Sequence, residues 1–155
     1  MRLFPGRRPT MNIPDRIEMV AVSDLKPYER NARTHSPSQV AQIARSIKEF
    51  GFTTPILVDG ERTVIAGHGR LMAAKEIGLE TVPTISVSHL SPAQARAYII
   101  ADNKLALNAG WDYELLQFEL GELEALGFDV ALTGFDDGNL NGEELFGDGL
   151  TGAGG

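Results

Sequence analysis

The feature that most restricts the fold is the run Thr63–Gly78. A short apolar segment, Thr63–Ala66, meets Gly67-His68-Gly69-Arg70 and passes straight into a helical pattern that stops at Gly78. A strand that bends into a helix without a linker favours residues lacking a side chain at the bend, and two glycines stand there. The first amides of that helix have no internal partners, and its dipole end is positive. Arg70 adds a fixed cation in the first turn. The run reads in two ways. It is an anion site, for phosphate above all, or it is a tight structural turn with Arg70 in a surface ion pair.

The segments around it alternate between strand and helix patterns. Ile17–Val22 reads as a first strand, followed by a polar loop that holds Asn31, Arg33 and His35. Ser36-Pro37-Ser38-Gln39 starts a helix: Ser36 caps, Pro37 suits the first helical position and Gln39 completes a capping box. Val40, Ile43, Ala44, Ile47 and Phe50 then recur at helical spacing, and Gly51 ends the run. Pro55–Val58 and Thr63–Ala66 are short strands, with a tight hairpin expected at Asp59-Gly60. After the helix over residues 70–77 comes a strand over Val82–Val87. A second Ser-Pro-x-Gln device, Ser91 to Gln94, opens a helix through about Leu107. This order predicts an α+β domain, a small mixed sheet covered by helices.

A further helix, roughly Asp112 to Leu126, has Asp112 as cap, Gly127 as stop and Leu116, Leu120 and Leu123 as its buried stripe. Leu132–Phe135 is expected to tuck an aromatic ring back onto the domain. Residues 1–14, with three Pro and three Arg, read as a flexible arm. Eight of the last 22 residues are Gly, too little apolar content for a core, so 136–155 read as a disordered tail or linker. The expected division is thus an arm over 1–14, a main domain over 15–107, a helical extension over 108–135 and the tail.

The net charge of −7 conceals a split. Residues 1–104 hold all 14 Lys and Arg with 10 acids, and residues 105–155 hold the other 11 acids and no Lys or Arg. The C-terminal part is either a solvated acidic face or a shield over a mildly basic surface. There is no Cys, which rules out disulfides and zinc–thiolate sites and fits a reducing, cytoplasmic setting. No apolar run reaches the ~20 residues of a membrane span, and the N-terminus lacks the apolar core of a signal peptide.

Beyond the Gly67–Arg70 turn, Asp102-Asn103 is the second candidate. Asp102 falls on the helical face of Ala95, Tyr98 and Ile99, so it is either an edge carboxylate paired with Lys104 or Arg96, or a magnesium-binding group facing phosphates. Asn31 and Arg33 suit turn chemistry equally with contacts to a base, ribose or phosphate. The spacing of His35, His68 and His89 fits no zinc pattern, and neither a Ser-His-Asp order nor a phosphate-binding Gly-x-x-x-x-Gly-Lys loop is present.

Taken together, residues 17–107 resemble the ParB/sulfiredoxin superfamily, specifically the ParB N-terminal domain. The likeness rests on Leu25-Lys26-Pro27, Asn31-x-Arg33, Phe50-Gly51-Phe52, Thr54–Val58, Val64–Ala74, Val82–Ile85 and Ala101-Asp102-Asn103. Gly67–Arg70, Ala101–Leu105, Gly110–Asp112 and Leu132–Phe135 look most like ParB-like domains at the N-terminus of bacterial and phage DNA methyltransferases. The resemblance implies a site for CTP or ATP with magnesium. It would be built from Asn31, Arg33, Thr54, Gly67, His68, Gly69, Arg70 and Asn103, with Asp102 as magnesium ligand and candidate catalytic carboxylate. Partition-type ParB domains carry Gly-Glu-Arg-Arg at the turn and Glu-Asn-x-x-Arg on the helix. Here His68, Gly69 and Ala106 replace the Glu, the Arg and the helix Arg. Two cations of the CTP clamp are thus absent, so the resemblance supports phosphate binding more than CTP specificity or hydrolysis. Sulfiredoxin activity needs a Cys where His68 stands, and no methyltransferase motif is present.

Three functional readings follow. The first is an accessory module, nucleotide-responsive or DNA-associated, of a DNA-modification or partition system, with a DNA methyltransferase as a partner. The second is a magnesium-dependent nucleotide hydrolase, kinase or nuclease using Asp102. The third is the remnant of a truncated methyltransferase fusion. No basic recognition helix is expected after residue 107, so contact with DNA should be weak and non-specific. Removing the chain beyond Phe135 deletes Asp136, Asp137, Glu143, Glu144 and Asp148. If that segment screens the basic part, the shortened chain binds duplex DNA more tightly in fluorescence anisotropy, and the gain shrinks as salt rises. Equal affinity with and without it removes the shielding reading.

Overall fold

The computed structural model describes residues 11–135. Most of the expected N-terminal arm, and the whole Gly-rich segment over 136–155, lie outside the described residues. The elements run β1 (Glu18–Ala21), a 3₁₀ turn (Val22–Asp24), α1 (Pro37–Phe50), β2 (Ile56–Val58), β3 (Val64–Ala66), α2 (His68–Ile77), β4 (Thr81–Ser86), α3 (Pro92–Asn108), α4 (Tyr113–Ala125) and a second 3₁₀ turn (Val130–Thr133). This is the α+β architecture that the alternating patterns imply. Among the described residues, no helix is long and apolar enough to cross a membrane.

Local chemistry sets the helix ends. At α1, Ser36 Oγ accepts from the Gln39 amide at 3.2 Å while Gln39 Oε1 accepts from the Ser36 amide at 3.2 Å. The same reciprocal box opens α3 between Ser91 and Gln94, at 3.2 and 2.9 Å. Each box satisfies two amides that a helix start leaves orphaned. Asp112 caps α4 through the Leu115 amide at 3.2 Å.

The four strands lie in the order β1-β4-β2-β3. β4 runs antiparallel to β1 and parallel to β2, and β2 pairs antiparallel with β3. A parallel β2–β4 pair needs a crossover, and the segment from β3 through α2 supplies it. Strand alternation then divides the sheet's faces. Ile56, Val58, Val64 and Val82 join Val20, Leu71 and Ala74 in the main core beneath α2. Leu57 and Ile65 form a second cluster with Val87 and Ile99, which holds α3. α1 packs on the outside of α2 through Val40, Ala44 and Ala73, flanked by Ile43, Ile47 and Ile77.

The β2–β3 connection is the tight hairpin expected around Asp59-Gly60, and the structure sets its loop length. Asp59 accepts from the Arg62 amide at 3.1 Å and donates its own amide to Thr63 at 3.0 Å, leaving three residues in the loop. Asp59 Oδ1 also takes the amides of Glu61 and Thr63, at 2.8 and 2.9 Å. The left-handed position falls on Arg62 (φ 64°), not on Gly60. Asp59 closes the turn by side-chain capping. Arg62 is anchored by Asp24 at 3.3 Å and Glu18 at 3.6 Å. Those long-range partners are not visible in the Asp59-Gly60 pair.

The C-terminal extension docks at the far end of α1. Leu120 and Val130 are buried, Leu116 and Leu123 half-buried, and the second 3₁₀ turn contacts α1. Phe50 stacks on Phe128 at 6.1 Å, and Phe135 meets Trp111 edge-on at 5.2 Å. By contrast, α3 buries only Ile99, leaving Ile100, Leu105 and Leu107 exposed.

Leu71, 2% exposed at the centre of the core, and Leu126, 81% exposed, give a direct test of this packing. Leu71→Ala is expected to cost about 2–5 kcal/mol in urea unfolding, and Leu126→Ala to stay within about 0.5 kcal/mol of the parent. Similar losses at both positions would show the core to be placed wrongly.

Candidate functional site

The bend between β3 and α2 works as the sequence demands, for a reason that reaches beyond the bend. Gly67 caps α2 with φ 105°, a left-handed value that strains any side-chain-bearing residue. A Cβ there would also lie 2.9 Å from Arg70 Nη2 and 3.1 Å from Ile56 Cγ1. The Arg70 guanidinium folds back across its own helix start, and Nη2 donates to the Pro55 carbonyl at 3.0 Å. Arg70 Nε is buried and has no partner among the described residues. Burial lowers the Arg70 pKa, while the Asp102 charge acts in the opposite sense. The guanidinium stays charged throughout the usable pH range. Among the described residues, the surface ion pair considered for Arg70 does not form. Its cation is half-buried, and Asp102 lines the same cavity.

Gly69 serves a different need. It is buried, and a Cβ on it would sit 2.8 Å from Ile43 Cδ1 and 3.0 Å from His35 Cε1. The absent side chain lets α1 and the loop before it close over the first turn of α2. His68 ties that loop down, because its Nε2 accepts the Tyr28 amide at 3.2 Å. Its proton is then placed on Nδ1.

These contacts enclose a cavity of about 210 Å³. Asn31, Gly67, His68, Gly69, Arg70, Asp102 and Asn103 all line it, joined by His35, Ile43 and Ala66. Two other expected site residues lie elsewhere. Thr54 borders a neighbouring hollow that shares Arg70. Arg33 borders an apolar groove of about 180 Å³ that shares Asn31 and Asn103. Arg33 is exposed, and its amide closes a turn on Asn31 Oδ1 at 3.1 Å, so the turn chemistry weighed for this pair is present.

α3 brings Asp102 and Asn103 to the cavity's far wall. Asn103 is held by its own helix, its Nδ2 donating to the Ile99 carbonyl at 2.8 Å. Asp102 is exposed at the edge of the face, as one expectation had it, but its bonded partner is the Tyr98 hydroxyl and not Lys104 or Arg96. Burial raises the Tyr98 pKa, and the charge and hydrogen bond of Asp102 raise it further. Among the described residues, no group of three or more His, Asp or Glu is placed to hold a metal ion. One carboxylate beside a cavity lined by Arg70 is compatible with magnesium only if a ligand supplies further oxygens, because that ion takes one or two carboxylates and completes its shell with phosphate oxygens and water. Sequence reasoning missed His35 and Tyr98. His35 lies 33 positions before His68 in a loop without periodicity, and Tyr98 looked like an ordinary apolar-face residue.

Burial lowers the His68 pKa, and the charge of His35 lowers it further. The unfolded chain takes up this proton near the ordinary value of about 6.5, while the folded chain resists it until lower pH. This contribution to stability is therefore complete above about pH 6.5 and is lost as pH falls through the depressed folded value. Urea unfolding of His68→Gln, which keeps an acceptor but cannot titrate, is expected to show a shallower acid loss than the parent between about pH 7 and about pH 5. Parallel losses would mean that the fold does not hold His68 neutral.

Comparison with known proteins fits this geometry. Residues 9–103 match the ParB N-terminal domain family, and residues 114–149 match the ParB-methyltransferase HTH domain. The second match corrects the expectation that no helix-turn-helix follows residue 107. That expectation looked for a basic recognition helix, and this segment carries no Lys or Arg. Its described part comprises α4 and the second 3₁₀ turn. The chain is 51% identical over 73 residues to the ParB-like nuclease domain-containing protein YnaK of Escherichia coli (strain K12), covering 47% of this chain and 84% of that one. It is 32% identical over 91 residues to Stage 0 sporulation protein J of Bacillus subtilis (strain 168), covering 56% of this chain and 32% of that protein's length. In fold it is similar to the C-terminally truncated chromosome-partitioning protein ParB from Caulobacter crescentus complexed with CTP-gamma-S. The TM-score is 0.62 at 21% identity, covering 84% of this chain and 87% of that one. With more than half its length matched, and with the strand-to-helix turn at Gly67 and the Asp102-Asn103 pair in the places the sequence pattern requires, this chain belongs to the ParB N-terminal domain family.

Proposed function

We propose that this chain is a ParB-like accessory module, nucleotide-responsive and associated with DNA, that binds the phosphates of a nucleoside triphosphate at the Gly67–Arg70 turn and acts with a DNA-modification system. The observation that carries the reading is the Arg70 guanidinium. It is a half-buried cation with an unpartnered buried Nε, folded over a glycine at a helix start and lining a cavity open to a ligand. A buried cation without a full set of partners is costly unless an anion completes it. The amides of the first turn of α2 add directed donors at the same end.

The remaining parts fit a nucleotide of the CTP or ATP type. Asp102 would hold magnesium against the phosphate oxygens, leaving Asn31 and Asn103 between the phosphate cavity and the adjoining apolar groove. A ligand with a charged end and a flat, partly apolar end suits that division. The match of residues 114–149 to a methyltransferase-associated domain supports the link to DNA modification over one to partition. Asp102 is tied to Tyr98 at an exposed edge, which favours binding over its use as a catalytic base.

Calorimetry with CTP and ATP in the presence of magnesium tests the site. Arg70→Ala is expected to weaken binding by about 1.5–3 kcal/mol, the scale of a charge-assisted hydrogen bond. Parent protein that binds neither nucleotide at millimolar concentration, or Arg70→Ala that binds as well as the parent, would overturn the assignment.

A further inference from the structure

We propose that His35 is an anion-binding residue of this cavity, neutral in the free protein and protonated when a phosphate chain enters, so that it supplies a second cation opposite Arg70. The inference rests on the phosphate reading of the Gly67–Arg70 turn and adds to it a residue and a proton.

The His35 ring closes over the first turn of α2, with Cε1 and Nδ1 lying 3.0 and 3.2 Å from where a Gly69 Cβ would be. It lines the same cavity as His68 and Arg70. Neither ring nitrogen of His35 has a hydrogen-bond partner among the described residues, whereas Nε2 of His68 is occupied by the Tyr28 amide. The two histidines therefore differ in what they can do. Protonating His68 at Nε2 would set a donor against the Tyr28 N–H and release the loop that carries Asn31 and His35. Protonating His35 breaks no bond and creates a donor facing the cavity.

Charge explains why the proton waits for a ligand. On the loop side the exposed Arg33 acts on His35 through its charge. From α2 come His68 and Arg70, from α3 Asp102, and α1 contributes only the apolar Ile43 to the cavity. Burial lowers the His35 pKa and the Arg33 charge lowers it further, so the free site holds the ring neutral. The single nearby carboxylate, Asp102, is bonded to Tyr98. A phosphate chain reverses this balance, because an anion within a few ångström of an imidazole favours its charged form. By linkage, a site that takes up a proton on binding gains affinity as pH falls.

Binding of CTP with magnesium and of inorganic tripolyphosphate, measured at about pH 6 and about pH 8, tests the inference on parent and His35→Gln, with circular dichroism confirming an intact fold. The ligands' own ionisation is common to both proteins, so the comparison isolates the residue. The parent is expected to gain about threefold to tenfold more affinity toward the acid side than His35→Gln. In the parent, the His35 ring proton signal in NMR should titrate at higher pH when either ligand is present. Equal pH dependence in the two proteins, or a His35 titration that the ligand leaves in place, overturns the role of His35 while leaving the phosphate site standing. A parent that binds neither ligand at either pH removes the phosphate site itself and this inference with it.

Discussion

The structure turns on the crossing of Arg70 over Gly67. Gly67 is required by its left-handed backbone, and a side chain there would also displace the Arg70 guanidinium. The crossing fixes the angle at which β3 enters α2. That angle seats Leu71 and Ala74 on the sheet and Ala73 against α1. The bond from Arg70 to the Pro55 carbonyl ties the residue to the start of β2, so the core and the cavity share one joint. A change at Gly67 would disturb both, which makes it a poor probe of function. Side chains at the rim, such as His35 and Asp102, separate binding from folding.

The cavity is assembled from segments with different degrees of anchorage. α2 is packed on both sides, by the sheet and by α1. The loop before α1 is held where Tyr28 meets His68 and where His35 meets Gly69. α3 rests on the sheet mainly through Ile99 and leaves much of its apolar surface to solvent. The wall carrying Asp102 and Asn103 is therefore the one with the least burial behind it. Elements with few buried contacts open at lower free energy than a core. A ligand bridging Arg70 and Asp102 would add contacts where the protein supplies fewest.

Much of the fold was legible because local rules and tertiary packing agree. The two Ser-Pro-x-Gln boxes, the glycine stops and the strand alternation each act over fewer than five residues, so sequence alone exposes them. The place of the β2–β3 hairpin was legible in the same way, but its loop conformation was not. Asp59 caps two amides of its own loop, and Arg62 takes the left-handed position with its backbone bonded to Asp59 and Lys26 and its side chain paired with Asp24 and Glu18. The acidic C-terminal segment was misread for another reason: charge argued against a helix-turn-helix, whereas the family match rests on the pattern of the whole segment.

By itself, the sequence determined the strand-to-helix turn, the α+β order, the resemblance to ParB domains and the residues Gly67, Arg70, Asp102 and Asn103 as candidates. These follow from backbone sterics, capping and short-range periodicity. Only the tertiary structure decided which candidates share a cavity. It placed Arg33 and Thr54 in neighbouring hollows, gave Asp102 the partner Tyr98, and brought His35 across 33 positions to face His68. Such meetings depend on how helices and loops pack around the sheet. No spacing rule within one element encodes the distance between two side chains that approach from different elements.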